Sequence, residues 1–357
     1  MPDLFYRNDF ARWSINLLRI YFGAKIVPMQ AIWAIRPQVL PVLSCAHMEH
    51  QVSTVDAHAS VPQARLSIGV LVLNYNTWDI ALRAIGAAID LAYPEITEFI
   101  LFDDGSPTPP PDNIDTRIQV VRNQENRGFA KALVAAFPQM KSDIVVLFDS
   151  DAFPLVPFAA KVREQFEADE YLGQIGFQSQ DENGAPTESL MKEPTQWSVI
   201  LGQALYARVP HRPMTPSNLC AIAGCMATRM KAYRNVGGID GNFDMLDLDL
   251  DYSMRLRRNN WKIVADKSIK VFHVGGGTPQ LQRHRLLRFY KCRWYLLRKH
   301  GRIRSVALTR AIILTRLRIE KLILQLFGPY LFRNREILAD KLLGRQNLIA
   351  YCRDNYR

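Results

Sequence analysis

Cysteine is scarce in this chain: five in 357 residues, at positions 45, 220, 225, 292 and 352. Five scattered thiols do not make a disulfide framework, and Cys220 and Cys225, with no partner pair elsewhere, do not make a zinc site. They read as reduced, buried thiols of a cytosolic protein. Long apolar runs are missing too. No stretch reaches the ~18–20 uninterrupted apolar residues of a spanning helix. Asp3, Arg7, Asp9 and Arg12 interrupt the amino terminus before the core of a secretory signal could form. The expectation is a cytoplasmic protein, soluble or peripheral at the inner face of the membrane. Gly-x-Gly-x-x-Gly spacing is absent after the first expected strand, and neither "GGIDG" (237–241) nor "HVGGGT" (273–278) supplies it. That argues against a dinucleotide-binding dehydrogenase. An EF-hand fails as well. In the ladder "DLDLD" (247–251) the sixth position, where glycine is needed, is Tyr252, and the twelfth, where glutamate is needed, is Arg258.

What is present begins with charge. There are 45 Lys and Arg against 34 Asp and Glu, a formal net charge of +11. Such a surface attracts phosphates, nucleic acid or an anionic membrane leaflet. With 48% hydrophobic residues the composition is that of a globular protein. Phe10, Trp13, Leu17, Ile20 and Tyr21 fall at helical spacing, and a polar linker follows over 49–65. From Leu66 strands and helices alternate: a strand at 66–76, a helix through "WDIALRAIGAAIDLA", then strands at 97–106, 117–123 and 143–151, and farther on strands over 261–274 leading to His273. This pattern predicts an α/β fold, a mostly parallel sheet with helices on both faces. The expected division is an amino-terminal amphipathic helix and linker (1–65), a catalytic domain (66–280) and a basic helical region (281–357).

"IVVLFDSDAF" (144–153) poses the central question. Five apolar residues suit a strand buried on both faces, yet it ends in Asp149 and Asp151, whose charges repel. Either both cap the next element in water, or a cation lies between them, and carboxylate oxygens suit Mg²⁺ or Mn²⁺. Asn74–Asn76 and Asp103–Ser106 fall at strand ends in the same way, where α/β sheets bind ligands. Asp247, Asp249 and Asp251 open a further helix, where acids favour the helix dipole or one could serve as a general base.

Taken in order, "VLVLNYN", "FDDGS", "NRGFAKA", "VVLFDSD", "VGGIDGNF", "DLDLDYSMRLRRNNW" and "VFHVGGG" resemble a family-2 glycosyltransferase with the GT-A fold, over residues 66 to about 300. The resemblance implies an inverting, metal-dependent enzyme that moves a sugar from a nucleotide-diphosphate sugar to an acceptor hydroxyl, in cell-surface glycan or polysaccharide synthesis. It implies a nucleotide site at Asn74, Tyr75 and Asn76, with Asn74 and Tyr75 holding and stacking on the base. It places Asp104 on the base, Asn126 and Gly128 near the nucleotide, and Asp149 at the ribose. Asp151 and His273 would hold Mn²⁺ or Mg²⁺, and Asp249 would be the base. The partners implied are a nucleotide-sugar donor and a glycan or lipid-linked acceptor. Separately from the resemblance, "RIRSVALTRAIILTRLRIEKLILQLFGPY" (302–330) sets Ile312, Ile313, Leu317, Ile319, Leu322 and Leu326 in a long apolar surface with arginines spread through it, ended by Gly328–Pro329. Lying on an anionic membrane surface suits it, beside packing on the catalytic domain or on a second subunit. Two positions depart from the family: Leu248 stands where it has glutamate, leaving Asp247 and Asp251 as rival bases, and Val134 stands where asparagine is common.

Other readings compete. A nucleotidyltransferase shares the sheet and the carboxylate-bound metal, but would carry a Gly-rich, Arg-containing loop where this chain has "NYNTWD". An inactive binding scaffold would tolerate Leu248. A nucleic-acid binder would use the basic and aromatic residues of 283–302.

Overall fold

The structure, a computed structural model, describes residues 65–187, 189–210, 213–273 and 282–357. The helix and linker expected before Leu66, Cys45, and the glycines after His273 lie outside the described residues.

Strand β1 (Ile68–Asn74) is buried along its whole length, and its period-two geometry serves both faces of the sheet. Leu71 and Leu73 enter one apolar core; Ile68, Val70 and Val72 enter the other. Helix α1 (Trp78–Ala92) covers the second core with a stripe that includes Ala81, Ile85, Ala88 and Ile89. Strands β2 (Glu98–Asp103) and β3 (Ile118–Arg122) follow, then the short helix α2 (Phe129–Ala136) on the first core. Next come β4 (Ile144–Phe148), β5 (Ala152–Pro154), α3 (Ala159–Ala168) and β6 (Leu172–Gln180). A small antiparallel pair, β7 (Leu190–Lys192) and β8 (Leu219–Ala221), brackets the short helices α4 (Trp197–Leu201) and α5 (Gln203–Tyr206). Then come β9 (Cys225–Arg229), α6 (Met230–Asn235), α7 (Leu248–Arg258) and β10 (Lys262–His273).

The eight-stranded sheet runs β3-β2-β1-β4-β9-β6-β10-β5. β3, β2, β1 and β4 are parallel, as are β6 and β10, while β9 and β5 run antiparallel to their neighbours. The expected mostly parallel sheet with helices on both faces is therefore found. Where strands in the plural were expected over 261–274, there is one. β10 absorbs a register shift against β6 between Asp266 and Lys270, where Ser268 bonds back to Asp266.

Three helices close the chain: α8 (Gln282–Lys299), α9 (Val306–Leu331) and α10 (Arg335–Asn355). They share a third apolar core with α4, and α8 also sends Cys292 and Leu296 into the first. The sequence suggests that Gly328–Pro329 ends α9, but the helix runs two residues past the proline to Leu331, and the Gly328 carbonyl accepts from the Phe332 N–H. No described helix is long and apolar enough to cross a membrane.

Candidate active site

β1, β2 and β4 are parallel neighbours, so their carboxyl ends share one edge of the sheet. At β1 and β2 the polar residues mostly bind one another. The Asn74 amide donates to Asp103 (2.7 Å) and its carbonyl oxygen accepts from the Thr77 backbone and hydroxyl. Asp103 is buried and accepts further from Ser106 and, at 2.8 Å, from Arg122 Nε. Asp104 turns the other way and accepts from the Asn123 amide and the backbone N–H groups of Arg127 and Gly128. It thereby ties β2 to the start of α2. Gly105 makes this possible: at φ +70° its backbone lies against Glu125 and Asn126, where a Cβ would overlap them. Asn126 accepts from the Gly128 N–H. Tyr75 and Asn76 are exposed beside this knot, the latter donating its N–H to Ser106.

The end of β4 differs. β5 leaves it at once and pairs antiparallel with β10, in a register that sets His273 opposite Ala152. His273 Nε2 thus reaches Asp151 Oδ1 at 3.2 Å and Asp149 Oδ2 at 3.8 Å. One ligand atom from each of the three lies within 4.8 Å of the others. Burial pushes the Asp149 carboxyl up to about 7; the charge of His273 opposes this, while Asp151 and Asp249 reinforce it. The hydrogen bond that His273 donates to Asp151 raises the imidazole above its usual value, against burial. Asp149 Oδ1 is buried with no hydrogen-bond partner among the described residues. An orphaned carboxylate oxygen beside a second carboxylate and an imidazole fits a hard or borderline divalent cation. Asp149, given to the ribose by the resemblance, stands with the two residues given to the metal.

The aspartate ladder divides cleanly. Asp247, left-handed at φ 67° just before α7, forms a buried bidentate pair with Arg293 of α8, at 2.7 and 2.8 Å. Asp251 is fully buried and accepts from Arg255, Lys299 and His300, each at 2.8 Å. Burial pushes its carboxyl up, but these partners outweigh burial and hold it below the usual range. Asp249 has no ion-pair partner among the described residues. Its oxygens accept only the Ala223 N–H (3.1 Å) and the Leu250 N–H (2.8 Å). Burial, then the charge of Asp247, push it up to about 6 against those two hydrogen bonds. Leu248 is wholly buried in the first core, so that position sends no side chain to the site.

Ala223 and Gly224, between β8 and β9, join the two halves. Ala223 donates to Asp249, while Gly224 (φ +86°) lies where a Cβ would overlap the Asp149 carboxyl group. Neither Gly224 nor Arg293 was singled out from the sequence. The only hint of the first is a glycine among small residues in "AIAGCMA"; an arginine in a basic helix gives no hint of the second. The basic, aromatic stretch that suggested nucleic acid is largely consumed in packing: Phe289, Tyr290 and Trp294 are buried, and Arg288, Arg293 and Lys299 hold acids.

Removing one partner of a buried ion pair strands the other charge, at a cost of about 3–5 kcal/mol. Arg293→Met is accordingly expected to lower unfolding free energy by that order in denaturant titrations, and adding Asp247→Asn to recover part of the loss. A loss of under about 1 kcal/mol for Arg293→Met would mean that the pair does not clamp α7 to α8.

Residues 69–237 match the family model described as Glycosyl transferase family 2. No curated protein sequence matches the chain. Among solved structures, the mannosyltransferase PcManGT from Pyrobaculum calidifontis, in complex with GDP-Man and Mn²⁺, aligns with 82% of this chain and 88% of its own at 15% identity and a TM-score of 0.49. Residues 1–349 of S. aureus TarS align over 82% and 89% at 15% identity and 0.44. GalNAc-T7, with UDP, GalNAc and Mn²⁺, aligns with 66% of this chain at 13% identity and 0.45. The alignment covers 50% of that longer protein.

Proposed function

We propose that this chain, whose residues 69–237 match the model of glycosyl transferase family 2 and whose sheet is mostly parallel, has the GT-A fold and carries out an inverting sugar transfer from a nucleotide-diphosphate sugar to an acceptor hydroxyl. The observation that carries the reading is the placement of Asp149, Asp151 and His273 within 4.8 Å of one another, with Asp249 across Ala223–Gly224 and tied to no cation among the described residues. Asp149, Asp151 and His273 would hold Mn²⁺ or Mg²⁺, which supplies Lewis-acid neutralisation of the diphosphate charge.

Asp249 accepts the acceptor hydroxyl's proton. The acceptor oxygen forms its bond to the anomeric carbon as the bond from that carbon to the diphosphate oxygen breaks, and the diphosphate leaves with the electron pair. A carboxyl raised to about 6 is still ionised at neutral pH and is a stronger base than an ordinary aspartate. A single displacement inverts the anomeric centre. A covalent detour through a thiolate is disfavoured: Cys225, beside Gly224, is buried, and burial raises its thiol well above the usual range. Exposed Tyr75 offers an aromatic face for a base, while Asp104 holds the Asn126–Gly128 loop in place for the nucleotide. The acceptor we propose is a glycan or lipid-linked glycan of the cell surface.

The test is transfer and donor hydrolysis with a panel of nucleotide-diphosphate sugars, before and after chelation. EDTA is expected to abolish turnover, and Mn²⁺ or Mg²⁺ to restore it. In a thermal-shift assay the donor should raise the unfolding temperature only with the ion present. Full turnover in EDTA would refute the metal assignment; no turnover and no donor-dependent shift under any condition would favour an inactive scaffold.

A further inference from the structure

Helix α9 is amphipathic in an uncommon way: both of its faces are apolar. Ile313, Leu314, Leu317 and Leu324 point inward, and Gly328 lies against Leu338 of α10. The opposite face carries Leu308, Ile312, Ile319, Leu322, Leu326 and Tyr330, all solvent-exposed, Tyr330 at 88%. Their spacing of three, four or seven residues aligns them on one side of the helix, over about 33 Å at 1.5 Å per residue. An exposed apolar strip of that length, interrupted by Thr315, marks an interaction surface.

The charges select its occupant. Glu320 is the single acid in α9, and it is buried in ion pairs with Arg316 and Arg345. The exposed charge on the helix is Arg318, and Arg304, Arg333 and Arg335 are exposed at its two ends. An apolar strip edged by Arg304, Arg318, Arg333 and Arg335, with no exposed acid on α9 itself and Glu336 exposed beside Arg335 at one end, complements an anionic lipid surface. Apolar side chains enter the acyl boundary while guanidinium groups stay among the head groups. A net charge of +11 works against covering the same strip with a second copy of the chain.

We propose that the outer face of α9, from Leu308 to Tyr330, docks the protein onto an anionic membrane surface, with the helix lying in the plane of the interface. This goes beyond the sugar-transfer reading and stands without it. Turnover of a soluble donor in vesicle-free solution reads the active site separately.

The experiment is co-sedimentation of the full chain with vesicles of phosphatidylcholine alone and of phosphatidylcholine with phosphatidylglycerol, at low and high salt. Binding is expected on the anionic vesicles and weakens as salt rises. Ile319→Asp combined with Leu322→Asp should weaken it about tenfold or more at an unchanged unfolding temperature, because both positions are exposed. Arg304→Gln or Arg333→Gln should each weaken it about fivefold. Absence of binding, equal binding to both vesicle types, or equal binding by the double aspartate variant would overturn the proposal. So would a vesicle-free dimer that the aspartates dissociate, which would assign the strip to a second copy.

Discussion

Asp249→Asn is expected to lower turnover by about two to four powers of ten while leaving nucleotide-sugar affinity nearly unchanged. Asparagine keeps the shape of the side chain and can still accept one of the two backbone N–H groups that now bond Asp249, from Ala223 and Leu250. It cannot take up a proton. Asp247→Asn and Asp251→Asn should act differently. Their carboxylates already satisfy Arg293 in one case and Arg255, Lys299 and His300 in the other, so their loss should appear first in unfolding. The pH profile gives a second check. A base raised to about 6 is mostly ionised above that pH and protonated below it, so turnover should fall on the acid side of about 6. For an ordinary aspartate it would fall near 4. Near-normal turnover in Asp249→Asn, or collapse in Asp247→Asn without loss of stability, would move the base elsewhere on the ladder.

Gly224→Ala is expected to have an effect as large, through the metal and not the base. At φ +86° an added Cβ is strained, and here it would also overlap the Asp149 carboxyl group. The backbone has little freedom to yield. Gly224 sits just before β9, which is hydrogen-bonded between β4 and β6. The carboxylate must move instead, away from Asp151 and His273. Metal-dependent donor binding should drop by at least about a hundredfold, and turnover with it, while the far-ultraviolet circular dichroism spectrum stays that of the parent. Isothermal titration with Mn²⁺, with and without donor, measures this directly. Unchanged Mn²⁺ affinity would show that Asp149 is not among the ligands.

Much of this was legible in the sequence because it depends on local pattern. The five-residue apolar run 144–148 suits a strand buried on both faces and is one, and "WDIALRAIGAAIDLA" coincides with α1 from end to end. That Asp149, Asp151 and His273 meet depends on the register of β5 on β10, which no local pattern encodes. The family resemblance supplied Asp151 and His273; Asp149 joins them through geometry. The ladder could not be resolved from its own residues, because what distinguishes Asp249 from its neighbours is the presence of Arg293 and Lys299 on α8, and of His300 just beyond it, far along the chain. The apolar content of α9 was visible too. Its division into inward Ile313 and Leu317 and outward Ile319 and Leu322 required knowing which side meets α8 and α10.

The strand pairing that sets His273 opposite Ala152 also imposes an order on biosynthesis. The segment that matches the family ends at residue 237, before either Asp249 or His273 has been added to the growing chain. A nascent polypeptide of that length carries Asp149 and Asp151 but neither the imidazole nor the carboxylate proposed to complete the centre. Affinity for the ion, and for whatever it recruits, should then arise in one step, when β10 slots between β6 and β5. A ribosome-bound intermediate stalled before that point should be inert toward donor and metal alike.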